Sequence, residues 1–152
     1  MEEKNRHEDG TDFSGKIYRR IRKQIRQTGK FKKDEKVLAE DEISEHFLKN
    51  MHVEIVKNGE YDKKVKTWTA DDEINSFFMN MISGKADEDK KLVKIFTCVT
   101  DEELEKYCKL NKIMFKRREK DQAVQKFVDD ISLKHTDSKH KIIKSLERLH
   151  HL

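Results

Sequence analysis

Lys16, Arg19, Arg20, Arg22, Lys23 and Arg26 fall within a short stretch, and no acid lies between Lys16 and Lys33. A solvated helix face normally interleaves acids for i,i+4 support. A stretch of one sign suits docking on phosphates, where counterion release supplies affinity and positioning but no sequence reading. Lys30, Lys32 and Lys33 continue the run. Residues 13–36 hold 10 basic and 2 acidic side chains, against 2 and 5 in residues 1–12, so the net charge of +4 is concentrated here. The plain alternative is a solvated face.

Asp71 and Asp72 follow Thr69 in a capping-box-like start, with Asp in place of the preferred Glu or Gln, and suit the positive end of a helix dipole. Trp68, just before them, is either a base-stacking ring or a packing anchor. Cys98 and Cys108 are a candidate redox or metal pair, but one sits in a β-branched run and the other on an apolar helix face, the setting of small buried hydrophobes. The 7 histidines form no HxxxH or CxxC-type cluster, so no metal site is expected. No Ser-His-Asp or Cys-His arrangement stands out.

The elements that must hold these residues belong to a chain of 152 residues, of which 34% are apolar and 42% charged. That length suits one domain with a thin core. No apolar run is long enough for a membrane span, and two cysteines are too few for a disulfide framework, so a cytoplasmic protein is expected rather than a membrane, secreted, collagen or mucin class. Residues 1–12 read as a disordered tail. Phe13, Ile17, Ile21 and Ile25 mark a helix ending near Gly29. Lys36–Ala39 is a strand, and Asp41 caps a helix with Ile43, Phe47, Leu48 and Met51 on one face. His52–Val56 and Tyr61–Trp68 flank Asn58-Gly59, the signature of a hairpin. After Thr69, a helix carries Ile74, Phe77, Phe78, Met81 and Ile82 as an apolar face, and a charged loop runs from Ser83 to Lys91. Leu92–Val99 is the strongest strand, and Thr100–Glu103 is a capping box opening a helix with Leu104, Tyr107, Cys108 and Leu110 inward. Ile113–Phe115 is a short strand, and two further helices carry Val124, Phe127, Val128 and Ile131, then Ile142, Ile143, Leu146 and Leu149. Strands alternating with helices predict an α/β domain: a small, mostly parallel sheet flanked by helices over 13–99, with a helical C-terminal region over 100–152.

Four segments, in order, resemble one family, the archaeal and eukaryotic tRNA 2-thiolation enzymes of the PP-loop ATPase (adenine nucleotide α-hydrolase) superfamily. The basic helix Lys16–Arg26 precedes Phe31–Leu38 as the family's basic helix precedes its first strand. Trp68-Thr-Ala-Asp-Asp-Glu73 through Phe78-Met-Asn-Met-Ile-Ser-Gly84 is similar to the motif GHNxDDE and the apolar helix after it. Thr100-Asp-Glu-Glu-Leu-Glu-Lys-Tyr-Cys-Lys-Leu-Asn111 is similar to "TDEEIxxYAKLN", and Lys141-Ile-Ile-Lys-Ser-Leu-Glu-Arg-Leu149 to "ILRSFERL". The resemblance implies a reduced α-hydrolase-like fold, tRNA as partner, and Lys16, Arg19, Arg20, Arg22, Lys23, Arg26, Lys30, Lys32 and Lys33 as RNA-binding residues. It implies for Asp71 and Asp72 the catalytic place of an acidic pair that helps bind metal–nucleotide or handles a proton.

The departures bear on activity. The family's first strand runs into a Ser-Gly-Gly-x-Asp-Ser loop, where glycines let backbone N–H groups reach a pyrophosphate. Here Val37-Leu38 runs into Ala39-Glu40-Asp41-Glu42-Ile43-Ser44, with no glycine and three consecutive carboxylates. The family's metal-holding cysteines have no counterpart, and Lys116-Arg-Arg-Glu119 stands where one is expected. The resemblance therefore implies a degenerate, shortened homologue that binds tRNA, has no cofactor of its own, and takes ATP and magnesium only if a partner completes the site. Two rivals stand beside it: a tRNA sulfurtransferase subunit paired with a catalytic thiolation subunit, and a small interaction protein without an RNA role.

Overall fold

Ile17, Ile21 and Ile25 recur every four residues and are almost wholly buried, which fixes the face that the first helix turns to the protein. The computed structural model describes residues 2–84, 89–134 and 137–150, with side chains from Thr11 onward except at 133–134 and 149–150. Helix α1 (Glu2–Gln24) is uninterrupted by proline and begins inside the stretch read from the sequence as a tail. It widens into a π-type turn over Ile25–Gly29, after which Lys30 takes a left-handed conformation at φ 45°. Gly29 is required there, because a Cβ would come 2.7 Å from the Phe31 ring.

Strands β1 (Lys36–Ala39), β2 (Glu54–Val56), β3 (Lys63–Val65) and β4 (Leu92–Val93) form one sheet in the order β2-β1-β3-β4, with every pairing parallel. Val37 faces Ile55 on one side and Lys63 on the other, and Val65 pairs with Val93. Helices α2 (Glu42–Leu48), α3 (Ala70–Ser83), α4 (Asp101–Leu110), α5 (Gln122–Lys134) and α6 (Ser138–His150) complete the described elements. Asp41 caps α2, and Thr69–Asp72 and Thr100–Glu103 form reciprocal capping boxes on α3 and α4. One core joins α1, the sheet, α2 and α4 around Phe47, Phe96 and Leu104; a second joins α3, α5 and α6 around Ile74, Val128 and Leu146. No helix among the described residues is long and apolar enough to cross a membrane.

Four expectations are corrected. The hairpin does not form: β2 and β3 lie on opposite sides of β1, and the returning chain is held at its start. There the Asp62 N–H donates to the Lys36 carbonyl at 2.8 Å and the Asp62 carboxylate accepts the Lys36 N–H at 3.0 Å. Strand β4 stops at Val93, because Ile95, Phe96 and Val99 all enter the core from a turn closed by Val99 N–H on the Phe96 carbonyl, an arrangement that strand alternation forbids. Ile113–Phe115 is not a strand, since Ile113 N–H bonds the Cys108 carbonyl at 2.9 Å and Met114 N–H the Glu42 carboxylate at 3.3 Å. Met81, Ile82, Phe127 and Leu110 are exposed rather than inward, although the Phe127 ring still meets Phe78 edge-on at 5.6 Å. Residues 85–88 of the expected charged loop, and the side chain of Leu149, lie outside the described residues.

Candidate functional site

In an open parallel sheet, ligands bind outside the carboxyl ends of the strands, where the winding direction reverses. Here that switch point lies between β1 and β3, since β2 has gone to the far side of β1. At the end of β1 the Glu40 N–H still reaches the Val65 carbonyl at 3.0 Å. The chain then turns into α2 through Asp41. One carboxylate oxygen of Asp41 accepts the Ser44 N–H at 3.0 Å and its hydroxyl at 2.5 Å; the other accepts the Thr67 N–H at 2.7 Å. The anion at this helix start is thus the chain's own side chain. A cleft of about 690 Å³ opens beside it, lined by Asp41, Glu42, Thr67 and Met114–Glu119.

Asp71 and Asp72 are both buried in the first turn of α3. Asp72 accepts the Thr69 N–H at 2.9 Å and meets Lys120 Nζ at 2.6 Å. Asp71 accepts the Asp101 N–H at 2.7 Å and meets Lys139 Nζ at 2.5 Å. Asp101, also buried, accepts the Thr69 hydroxyl at 2.6 Å and lies 3.0 Å from Lys120. Three carboxylates are therefore held by two ammonium groups. Burial pushes the Asp101 carboxyl above its ordinary range, and the charges of Asp71 and Asp72 add to this against the Thr69 and Lys120 bonds. Burial works against the charge on Lys120, but its bonds to Asp72 and Asp101 outweigh it and hold the pKa above that of a free lysine. Asp101, Lys120 and Lys139 were missed in the sequence. Asp101 directly follows Thr100, the cap of the second capping box, a usable signal; nothing distinguishes the two lysines from their many neighbours.

The basic residues divide by face. Lys16, Arg19, Lys23 and Arg26 are exposed, spaced 3, 4 and 3 apart, on the side of α1 opposite Ile17, Ile21 and Ile25. Lys16 is 3.7 Å from Asp12. Lys30, Lys32 and Lys33 are exposed beyond the helix end. Arg20 and Arg22 are turned inward. Arg20 bonds the Glu103 carboxylate at 2.7 Å, and Arg22 donates to the Tyr18 hydroxyl at 3.0 Å and the Phe47 carbonyl at 3.2 Å. Glu103 also lies 3.2 Å from His140 on α6. Burial would raise its pKa, but His140, Arg20 and the Thr100 N–H hold it at about 2.

Trp68 is partly buried, and its indole N–H donates to Glu73 at 2.6 Å. Lys66, Lys94 and Arg118 lie 4.9, 5.6 and 5.8 Å from its ring centre. Cys98 is half-buried and Cys108 buried, and burial pushes both thiols up to about 12.

No family model and no curated protein matches the chain. Its fold is similar to that of the U34-tRNA thiolase NcsA from Methanococcus maripaludis, solved with its 4Fe–4S cluster. The TM-score is 0.64 over 90% of this chain and 78% of that one, at 13% sequence identity. The likeness is one of fold, and it agrees with the α/β architecture of the adenine nucleotide α-hydrolase type expected from the sequence.

Proposed function

We propose that this chain is a shortened, degenerate member of the tRNA 2-thiolation family of the PP-loop superfamily, that it binds tRNA through the exposed stripe of α1, and that it performs no ATP chemistry of its own. The observation that carries this is the Asp41 carboxylate, which takes the N–H groups of Ser44 and Thr67 at the switch point of the sheet. In a nucleotide-binding loop such donors face phosphate oxygens. Here they are satisfied by an anion that repels another. Asp71 and Asp72, which the resemblance assigns to metal–nucleotide or proton handling, are neutralised by Lys139 and Lys120. Nor do the residues present fit an iron–sulfur cluster, which is held by thiolates. The chain has only two cysteines, Cys98 and Cys108, half of the four that such a cluster takes.

The fold likeness to NcsA supports the superfamily link, and the tRNA in that enzyme's name supports tRNA as the partner. Electrostatic docking of Lys16, Arg19, Lys23 and Arg26 on phosphates supplies affinity, with Lys30, Lys32 and Lys33 extending the footprint past the helix end. Arg20 and Arg22 act instead in holding α1 to α4 and α2. Completion of the crevice by a catalytic thiolation subunit is the second arrangement. A gel-shift titration of tRNA over a salt series, beside a calorimetric titration of magnesium-ATP, separates the readings. Salt-dependent tRNA binding without saturable ATP heat is expected. ATP binding by the isolated chain overturns the degenerate reading, and equal affinity for any polyanion overturns tRNA recognition.

A further inference from the structure

Lys66 immediately follows β3, at the strand ends that line the crevice, and makes no salt bridge among the described residues. Its neighbours are of mixed sign, and the acids are already committed. Glu73 holds Lys94 at 2.8 Å and the Trp68 indole, and Asp89 holds Lys64 at 3.1 Å. Glu40, at the end of the adjoining strand, is exposed and does not reach Lys66 within salt-bridge distance. Arg118 lies on the same indole as Lys66. Its Nε donates to the Thr67 carbonyl at 2.7 Å, and its terminal nitrogens have no hydrogen-bond partner among the described residues. Thr67 is also the residue whose N–H bonds Asp41, so the arginine is fixed at the rim of the 690 Å³ cleft, which Lys116 also lines. Burial, and then the nearby charge of Arg118, lower the pKa of Lys66 against the opposing pull of Glu40 and Asp89.

We propose that Lys66 and Arg118 form a binding site for a phosphate group of RNA at the mouth of the crevice. The proposal rests on the tRNA-docking reading of α1 and adds a second contact, on two residues to which the resemblance gives no RNA role. An oxyanion bound by both side chains supplies a directly paired counter-charge, and the pre-fixed guanidinium offers its terminal N–H donors to it. The phosphodiester of a docked RNA is favoured over a free anion because α1 and this rim are linked through Lys94. Its carbonyl accepts a bond from Gln24 at 3.4 Å, and its ammonium lies over Trp68.

Trp68 is the only tryptophan in the chain, so its fluorescence reports on this place alone. Titration with tRNA should change Trp68 emission along the same curve that a gel shift gives for binding. Lys66→Gln and Arg118→Gln should each remove most of that change and lower the salt slope by about 1. Both sites are at the surface, and thermal melts of the variants check that the fold is intact. Tight tRNA binding with unmoved emission, or an undiminished response in both variants, overturns the phosphate site while leaving α1 docking in place. A response to inorganic phosphate but not to tRNA overturns RNA as the source of the anion. Failure of the wild type to bind tRNA by gel shift overturns the docking reading itself.

Discussion

The carboxylate of Asp41 accepts the backbone N–H of Thr67 at 2.7 Å, and so ties together the ends of two neighbouring parallel strands. The same side chain caps α2. A single residue therefore closes the place where an open α/β sheet usually receives a ligand.

Asp41→Ala should destabilise the protein by about 2–4 kcal/mol, from the lost cap and the unpaired N–H of buried Thr67. Asp41→Asn keeps one oxygen acceptor, enough for the Ser44 cap, but turns an NH2 toward the Thr67 N–H, so it should recover only the share of the cap, about 1 kcal/mol. Urea denaturation with an unchanged m-value checks both figures. Equal losses in the two variants would contradict a cap that survives in Asn.

Lys120 is the sole cation shared by Asp72 and Asp101, at 2.6 and 3.0 Å, and is almost as buried as they are. Lys120→Ala leaves two carboxylates buried and uncompensated, and should cost about 3–5 kcal/mol. The penalty is pH-dependent. The folded-state pKa of Asp101 is raised, so the folded chain takes up a proton more readily than the unfolded one, and protonation favours folding. The deficit of the variant should therefore narrow as the pH falls toward the ordinary aspartate value of 3.8. Denaturation at a series of pH values tests this, and a deficit that widens in acid would refute it.

Glu103 runs the other way. Its folded-state pKa of about 2 lies below the ordinary glutamate value of 4.5, so its contribution is present above pH 4.5 and is lost as the pH falls toward 2. By the free energy of one pKa unit this contribution is at most ~3 kcal/mol, reduced by the partial exposure of Arg20 and His140. Glu103→Gln should be less stable than wild type at neutral pH and equally stable near pH 2, as read from acid titrations of thermal midpoint.

The local signals of the sequence carried far. Thr69, Thr100 and Asp41 cap their helices as their neighbours within three residues require, and Ile17, Ile21 and Ile25 bury the face their spacing indicates. Failures came where distant contacts decided. Asn58-Gly59 looks like a hairpin, but the pairing of β3 with β1 is set by Asp62 on Lys36, a contact 26 residues apart. The β-branched run after Leu92 reflects burial rather than pleating. The same limit applies to the site. Asp71 and Asp72 were found by motif, whereas Lys120 and Lys139 reach them from segments whose placement no local pattern encodes. Arg20 and Arg22 look like Arg19 and Lys23 until Glu103 and Phe47 arrive from other elements.

That division of the basic helix gives a mutational split. Arg20→Gln and Arg22→Gln should lower the thermal midpoint and leave the salt slope of tRNA binding nearly unchanged. Arg19→Gln and Lys23→Gln should do the reverse, each removing about 1 from the slope.

The most direct test is a tRNA gel shift across a salt series, with the wild type beside the triple variant R19Q/K23Q/R26Q. The account predicts that the slope of log affinity against log salt is shallower by about 3 in the variant than in the wild type, one for each exposed cation removed, with the thermal midpoint unchanged. A variant that binds tRNA as tightly as the wild type, with the same salt dependence, would contradict it.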